Sequence, residues 1–123
     1  MSVETELHAS LLAHAPLAAL IGTRLAPDKI AQGEARPYIV YVVGREPTYH
    51  LDGTLATTLY TVRLQCWGDT RAQAEAVADA LEAALLASTV EAGGIPIEER
   101  QTLAEHELDL EATEIVCEIW RDA

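Results

Sequence analysis

At 123 residues and 13.3 kDa, the chain has the length of one domain, and with half its residues apolar it can bury a real core, which argues against intrinsic disorder. Twenty Asp and Glu against eight Lys and Arg give a formal net charge of -12, which disfavours a basic nucleic-acid reader. Ten of the acids and only two of the bases fall in residues 91–123, so that stretch alone carries -8.

Ser2 can cap a helix from Val3 to His14, with Glu4 and Glu6 in its first turn and Val3, Leu7 and Leu11 on one face. Pro16 opens a short second turn over Leu17 to Leu20, and Gly22 ends it. Thr23 to Arg36 reads as loop. Tyr38 to Val43 is β-branched and aromatic throughout, which predicts a strand covered on both faces. Gly44 to Ala56 holds Pro47, Asp52 and Gly53 and reads as a long turn region, a projecting hairpin or a partly disordered arm.

From Leu59 to Trp67 the pattern alternates, with Tyr60, Val62, Leu64 and Cys66 toward the core. Thr70 with Gln73 forms a capping box for an alanine-rich helix reaching about Ala87, its stripe made of Ala74, Val77, Ala78, Leu81 and Leu85. Gly93 and Gly94 break it. Ile95 to Leu103 and Ala112 to Arg121 supply a third and a fourth strand. The expected fold is α+β: a single domain over 1–123 with a mostly antiparallel four-stranded sheet and two main helices packed on one face. Trp67 and Trp120 fall on the polar parity of their strands, which suits packing against a strand end or a subunit-interface anchor.

Chemistry-bearing patterns are scarce. Ser2, Ser10 and Ser88 lie in no strained nucleophile turn, and His8 and His14 sit six apart, on different sides of a helix. No catalytic residue, metal site or cofactor is expected. The glycines form neither a dinucleotide fingerprint nor a phosphate loop. Cys66 and Cys117 stand far apart on core-facing parities and read as small buried hydrophobes. Glu98, Glu99 and the alternating Glu105, Glu107, Asp109 and Glu111 lack the spacing of a calcium loop and read as a solvated acidic stripe. Neither a secretion signal nor a membrane span is expected, which points to synthesis in the cytoplasm.

The opening block Val3 to Leu12, followed by Leu17 to Leu25, resembles the start of small tail-completion proteins of long-tailed bacteriophages and gene transfer agents. Pro37-Tyr38-Ile39-Val40-Tyr41 is similar to their first strand, often Pro-x-hydrophobic-x-Tyr, and a polar turn holding Leu51-Asp52-Gly53 follows. Val62 to Trp67 precedes an alanine-rich helix, as a similar strand does in that family. Ile115 to Arg121 resembles the final strand, which typically ends in a Val-Trp-Tyr-like triplet; here Arg121 stands in place of the last aromatic.

The resemblance implies a structural, non-enzymatic role: an oligomeric ring, usually hexameric, at the virion neck, which caps the tail tube, joins it to the head connector and is assembled in the host cytoplasm. Its partners would be further copies of itself, the tube protein and a connector or adaptor protein. Tyr49, Trp67 and Trp120 are then the expected interface anchors, with Arg45 and Arg63 set to pair with acidic neighbours. Six copies at -12 each would carry a formal -72. Such a charge suits a channel that DNA slides through without tight binding. Glu46, Asp52, Glu98, Glu99, Glu105, Glu107, Asp109, Glu111 and Glu114 are the candidates to line or border it. The alternatives are another neck component, either a head-side adaptor or a tube subunit, and an acidic cytoplasmic binding protein or DNA mimic.

Overall fold

A computed structural model describes residues 2–28, 35–88, 90, 93–105 and 110–122. The elements follow from the local signals in most places. Ser2 Oγ accepts from the Thr5 amide at 3.2 Å and starts α1 (Val3–Ala13), whose buried residues are Val3, Leu7 and Leu11. The helix α2 (Ala15–Ile21) carries proline in its first turn and buries Leu17 and Ile21. Thr70 accepts from the Gln73 amide at 3.1 Å, and Gln73 Oε1 accepts from the Asp69 amide at 2.7 Å, which together open α3 (Arg71–Leu86).

The strands are β1 (Leu25–Pro27), β2 (Tyr38–Tyr49), β3 (Leu55–Gly68), β4 (Ile97–Glu105) and β5 (Leu110–Asp122). They form one mixed sheet in the order β1-β2-β3-β5-β4. This corrects the expected four-stranded, mostly antiparallel sheet with two main helices: there are five strands and three helices among the described residues. The fifth strand, β1, lies inside the expected loop Thr23 to Arg36 and pairs parallel with β2, Leu25 opposite Ile39. Three residues ending in proline have no periodicity to read. Tertiary bonds hold them, with Ile39 donating to the Arg24 carbonyl at 3.0 Å and Asp28 to the Tyr41 carbonyl at 2.8 Å.

Residues 44–56, expected as a long turn region, are paired strand up to Tyr49 and again from Leu55, so that the turn itself spans 50–54. His50 donates to the Thr54 carbonyl at 2.8 Å, and Gly53, with φ +88°, closes the reversal as few other residues can.

Alternation assigns the two sheet faces. Ile39 and Tyr41 of β2, Val62, Leu64 and Cys66 of β3, and Ile115, Cys117 and Ile119 of β5 are all buried and face the helices. From the other side come Leu7, Leu11, Leu17, Ile21, Val77, Leu81 and Leu85. Burial pushes both thiols up, Cys66 and Cys117 each to about 12. At pH 8 a thiol reagent should therefore leave both cysteines unlabelled in the native protein and modify two per chain in denaturant. Labelling of the native protein at the denatured rate would contradict this core.

Polar ties join the layers. Arg121 donates to Glu6 at 3.1 Å, Ser10 and Ser88 share a hydrogen bond of 2.8 Å, and His8 Nδ1 meets the Tyr41 hydroxyl at 3.1 Å. The Tyr41 hydroxyl lies above its ordinary pKa through burial first and then the charges of Glu4 and Asp28.

Candidate interaction surface

The helices cover one sheet face only. The opposite face is crossed by rows of paired residues: Tyr38, Trp67 and Ala112; Val40, Gln65 and Glu114; Val42, Arg63 and Val116; Thr61 and Glu118; Glu46, Leu59 and Trp120; Thr57 and Asp122. Gln101 and Glu99 of β4 continue the second and third rows. An antiparallel sheet can leave one side to water, but such a side is usually polar, and here Val42 is 47% exposed and Trp120 54%. The described part of β2 is therefore covered on one side only, where cover on both was expected.

This face is acidic. It gathers Glu46, Glu99, Glu114, Glu118 and Asp122 against one guanidinium, that of Arg63. Glu114 is the buried member, receiving Gln101 Nε2 at 3.0 Å, Gln65 Nε2 at 3.2 Å and Arg63 Nη1 at 3.4 Å. Two amides and a guanidinium thus occupy lone pairs that the sheet withholds from water. On the helix side, by contrast, the carboxylates are largely paired: Glu75, Asp79 and Glu82 with Arg100, Glu6 with Arg121, and Asp69 with Arg36.

The expected acidic stripe divides accordingly. Glu46, Glu99 and Glu114 share the open face. Glu111 takes the helix-side parity, opposite Gly68, and Glu98 falls at an irregularity between β4 and β5. Glu105 ends β4 opposite Leu110, so the chain reverses between them, and the run from Glu105 to Glu111 is not one extended strand. Glu107 and Asp109 lie outside the described residues. Asp52 sits in the hairpin turn, its carboxyl held below the usual range by the Thr54 hydroxyl at 2.7 Å and then by the Thr54 amide at 3.0 Å.

The expected anchors also separate. Trp67 and Trp120 are both on the open face, eight residues apart in register along β3, which is about 26 Å at the rise of a strand. Tyr49 is 60% exposed where β2 meets the turn. Arg63 is on Glu114, and Arg45 lies on the helix side with its guanidinium 6.0 Å from the Tyr60 ring. Sequence reasoning passed over Glu118 and Asp122, which the alternation of β5 already placed beside Glu114. It also passed over Leu51, fully exposed at the turn, for which a leucine among turn-forming residues was the available signal. Among the described residues no cluster of three or more His, Cys, Asp and Glu could hold a metal ion.

A family model described as "Tail completion protein gp17" matches residues 5–120. A solved structure described as "Virion of native gene transfer agent (GTA) particle" contains a chain of the same fold, at a TM-score of 0.75 and 21% identity. The match covers 95% of this chain and 92% of that one. No curated protein matches the sequence.

Proposed function

The chain belongs to the tail completion protein gp17 family, and from that premise we propose that it assembles as an oligomeric ring which caps the tail tube, joins it to the head connector and leaves a channel for DNA. The family consists of structural virion proteins, so the chain is a structural component of a phage or gene transfer agent tail and not an enzyme. The observation that carries the finer reading is the uncovered sheet face, where five carboxylates stand against one guanidinium. Turned toward the axis of a ring, that face repels phosphates and keeps DNA sliding. Trp67 and Trp120, at its two ends, then lie near opposite rims. The ring itself is assembled in the host cytoplasm before DNA passes through it.

Three measurements test this. Native mass spectrometry of the neck complex should give a closed ring, with six copies expected. Deletion of the gene should leave filled heads and tails of abnormal length unjoined; heads that carry no tail beside normal free tubes would move the chain to the head-side adaptor reading. In a low-salt gel shift the wild-type chain should leave DNA unretarded. Retardation by the wild type would sink the channel assignment.

A further inference from the structure

We infer that the hairpin end of the sheet is a docking surface for a protein other than this chain, one that presents an apolar patch rimmed by lysine or arginine. The inference rests on the neck role proposed above and adds which surface of the chain meets a different component. Three of the exposed large hydrophobic residues lie toward this end: Tyr49 and Leu51 at the β2–β3 turn, and Trp120, opposite Leu59 and four β3 residues from the Tyr49–Leu55 pair that opens the turn. An isolated exposed leucine is unremarkable, but two exposed aromatics and a leucine toward one end of a small domain have the composition of an interface.

The tip is also held in shape. The Thr54 amide and hydroxyl both donate to Asp52, and the amides of His50 and Gly53 donate to the carbonyls of Thr54 and His50. Leu51 is therefore presented on an ordered turn, which reduces the ordering entropy that docking would cost.

Charge selects the kind of partner. Carboxylates accompany the apolar residues: Glu46 is level with Trp120 in register, Asp122 lies opposite Thr57, and Asp52 follows Leu51 in the turn. Among the described residues, a second copy offers no cluster of cations free of carboxylates to meet them. Of the seven arginines among the described residues, Arg36, Arg63, Arg100 and Arg121 are bonded to carboxylates of their own chain. Arg24, just before β1, donates to the carbonyls of Pro37 and Leu20, Arg71 of α3 to the Thr102 hydroxyl, and Arg45 of β2 lies over Tyr60, so that these three lie on different segments of the chain. Electrostatic complementarity, as far as the described residues go, then favours a different protein.

The test uses purified full-length chain with heads and with tail tubes isolated from a host in which the gene is deleted, binding being read by co-sedimentation. Wild type should bind one of the two particles. Leu51→Ser, alone and with Trp120→Ala, and Glu46→Lys with Asp122→Lys should each weaken that binding at least tenfold while leaving the oligomeric state and the unfolding midpoint as in wild type. Leu51→Ser keeps the test open whatever Trp120→Ala does to folding, because that side chain packs on nothing. Wild-type binding by every variant would overturn the proposal. So would parallel loss of self-association and particle binding, which would make the hairpin end a contact between copies. Binding of wild type to neither particle would remove the neck role first, and this inference with it.

Discussion

Replacing Gly94 with alanine should lower folding stability by about 3 kcal/mol or more, the largest effect expected from such a change among the described glycines. Gly94 has φ +89°, and a Cβ there would run into the backbone carbonyl of Leu86, the last residue of α3. The left-handed backbone costs a residue with a side chain roughly 1–2 kcal/mol. Forcing an extra carbon into packed surroundings adds about 1–3 kcal/mol. Relief by moving Leu86 is blocked next door, because Ile95 donates to the Leu85 carbonyl at 2.8 Å and is itself fully buried. Gly93 is the internal control: it has φ +83°, but nothing lies within 4 Å of its added Cβ. Gly93→Ala should therefore show only the conformational part, about 1 kcal/mol. In thermal unfolding the Gly94 variant should melt roughly 10 °C lower. Equal shifts for the two variants would show that the crowding at Leu86 is not there.

Replacing Arg100 with methionine should cost about 1–2 kcal/mol at low ionic strength and clearly less in 1 M salt. The guanidinium of β4 sits among three carboxylates on successive turns of α3: Glu75 at 2.6 Å, Asp79 at 2.9 Å and Glu82 at 3.0 Å. Its side chain is 23% exposed, so screening discounts these contacts without abolishing them. Methionine keeps much of the volume but leaves three like charges along one helix face. The pH dependence carries a definite sign. Glu75 is held below its usual value by the Arg100 hydrogen bond first and the Thr113 hydroxyl second. A lowered carboxylate contributes stability that is fully present above its unfolded value and is lost as pH falls through its folded value. The wild type should therefore lose more stability than the variant on acidification below about pH 4.5, and the two curves should converge once the carboxylates are protonated. A gap unchanged between pH 7 and pH 3 would rule out the charge account. Chemical denaturation at several pH values and two salt concentrations measures all of this.

Much of the fold was legible because local and global signals agree. Leu7 and Leu11 on α1, the Ala74 to Leu85 stripe on α3, and the alternation of Tyr60 to Cys66 each state which side is buried, and each side is buried as stated. What escaped was non-local. Leu25 to Pro27 forms a strand only because Ile39 and Tyr41 offer it bonds, and no window of the sequence holds both partners. The reversal between Glu105 and Leu110 was hidden for the opposite reason: the acids alternate well enough to suggest one extended stripe, although β4 and β5 pair across it.

The surface was legible in part. Parity placed Trp67 and Trp120 on the polar side of their strands, and the structure puts both on the face the helices leave open. Parity could not show that Glu46 from β2 and Glu99 from β4 join Glu114 there, because that needs the strand order β2-β3-β5-β4, in which the strand latest in sequence lies inside the sheet. Arg63 is the clearest case. A lone arginine in an acidic chain invites assignment to a neighbour, yet the register sets it beside Glu114, and that carboxylate is nearly buried.

The placement of the tryptophans also makes the molecule its own optical probe. The chain has only two indoles, and both belong to the uncovered sheet face, none to the packed layer between sheet and helices. Intrinsic fluorescence is therefore nearly silent about the helix-side core and speaks for the opposite surface, so a blue shift on mixing with another component reads the drying of that surface directly. The two reporters stand near opposite ends of the strands, and single replacements divide the signal by end without any added dye.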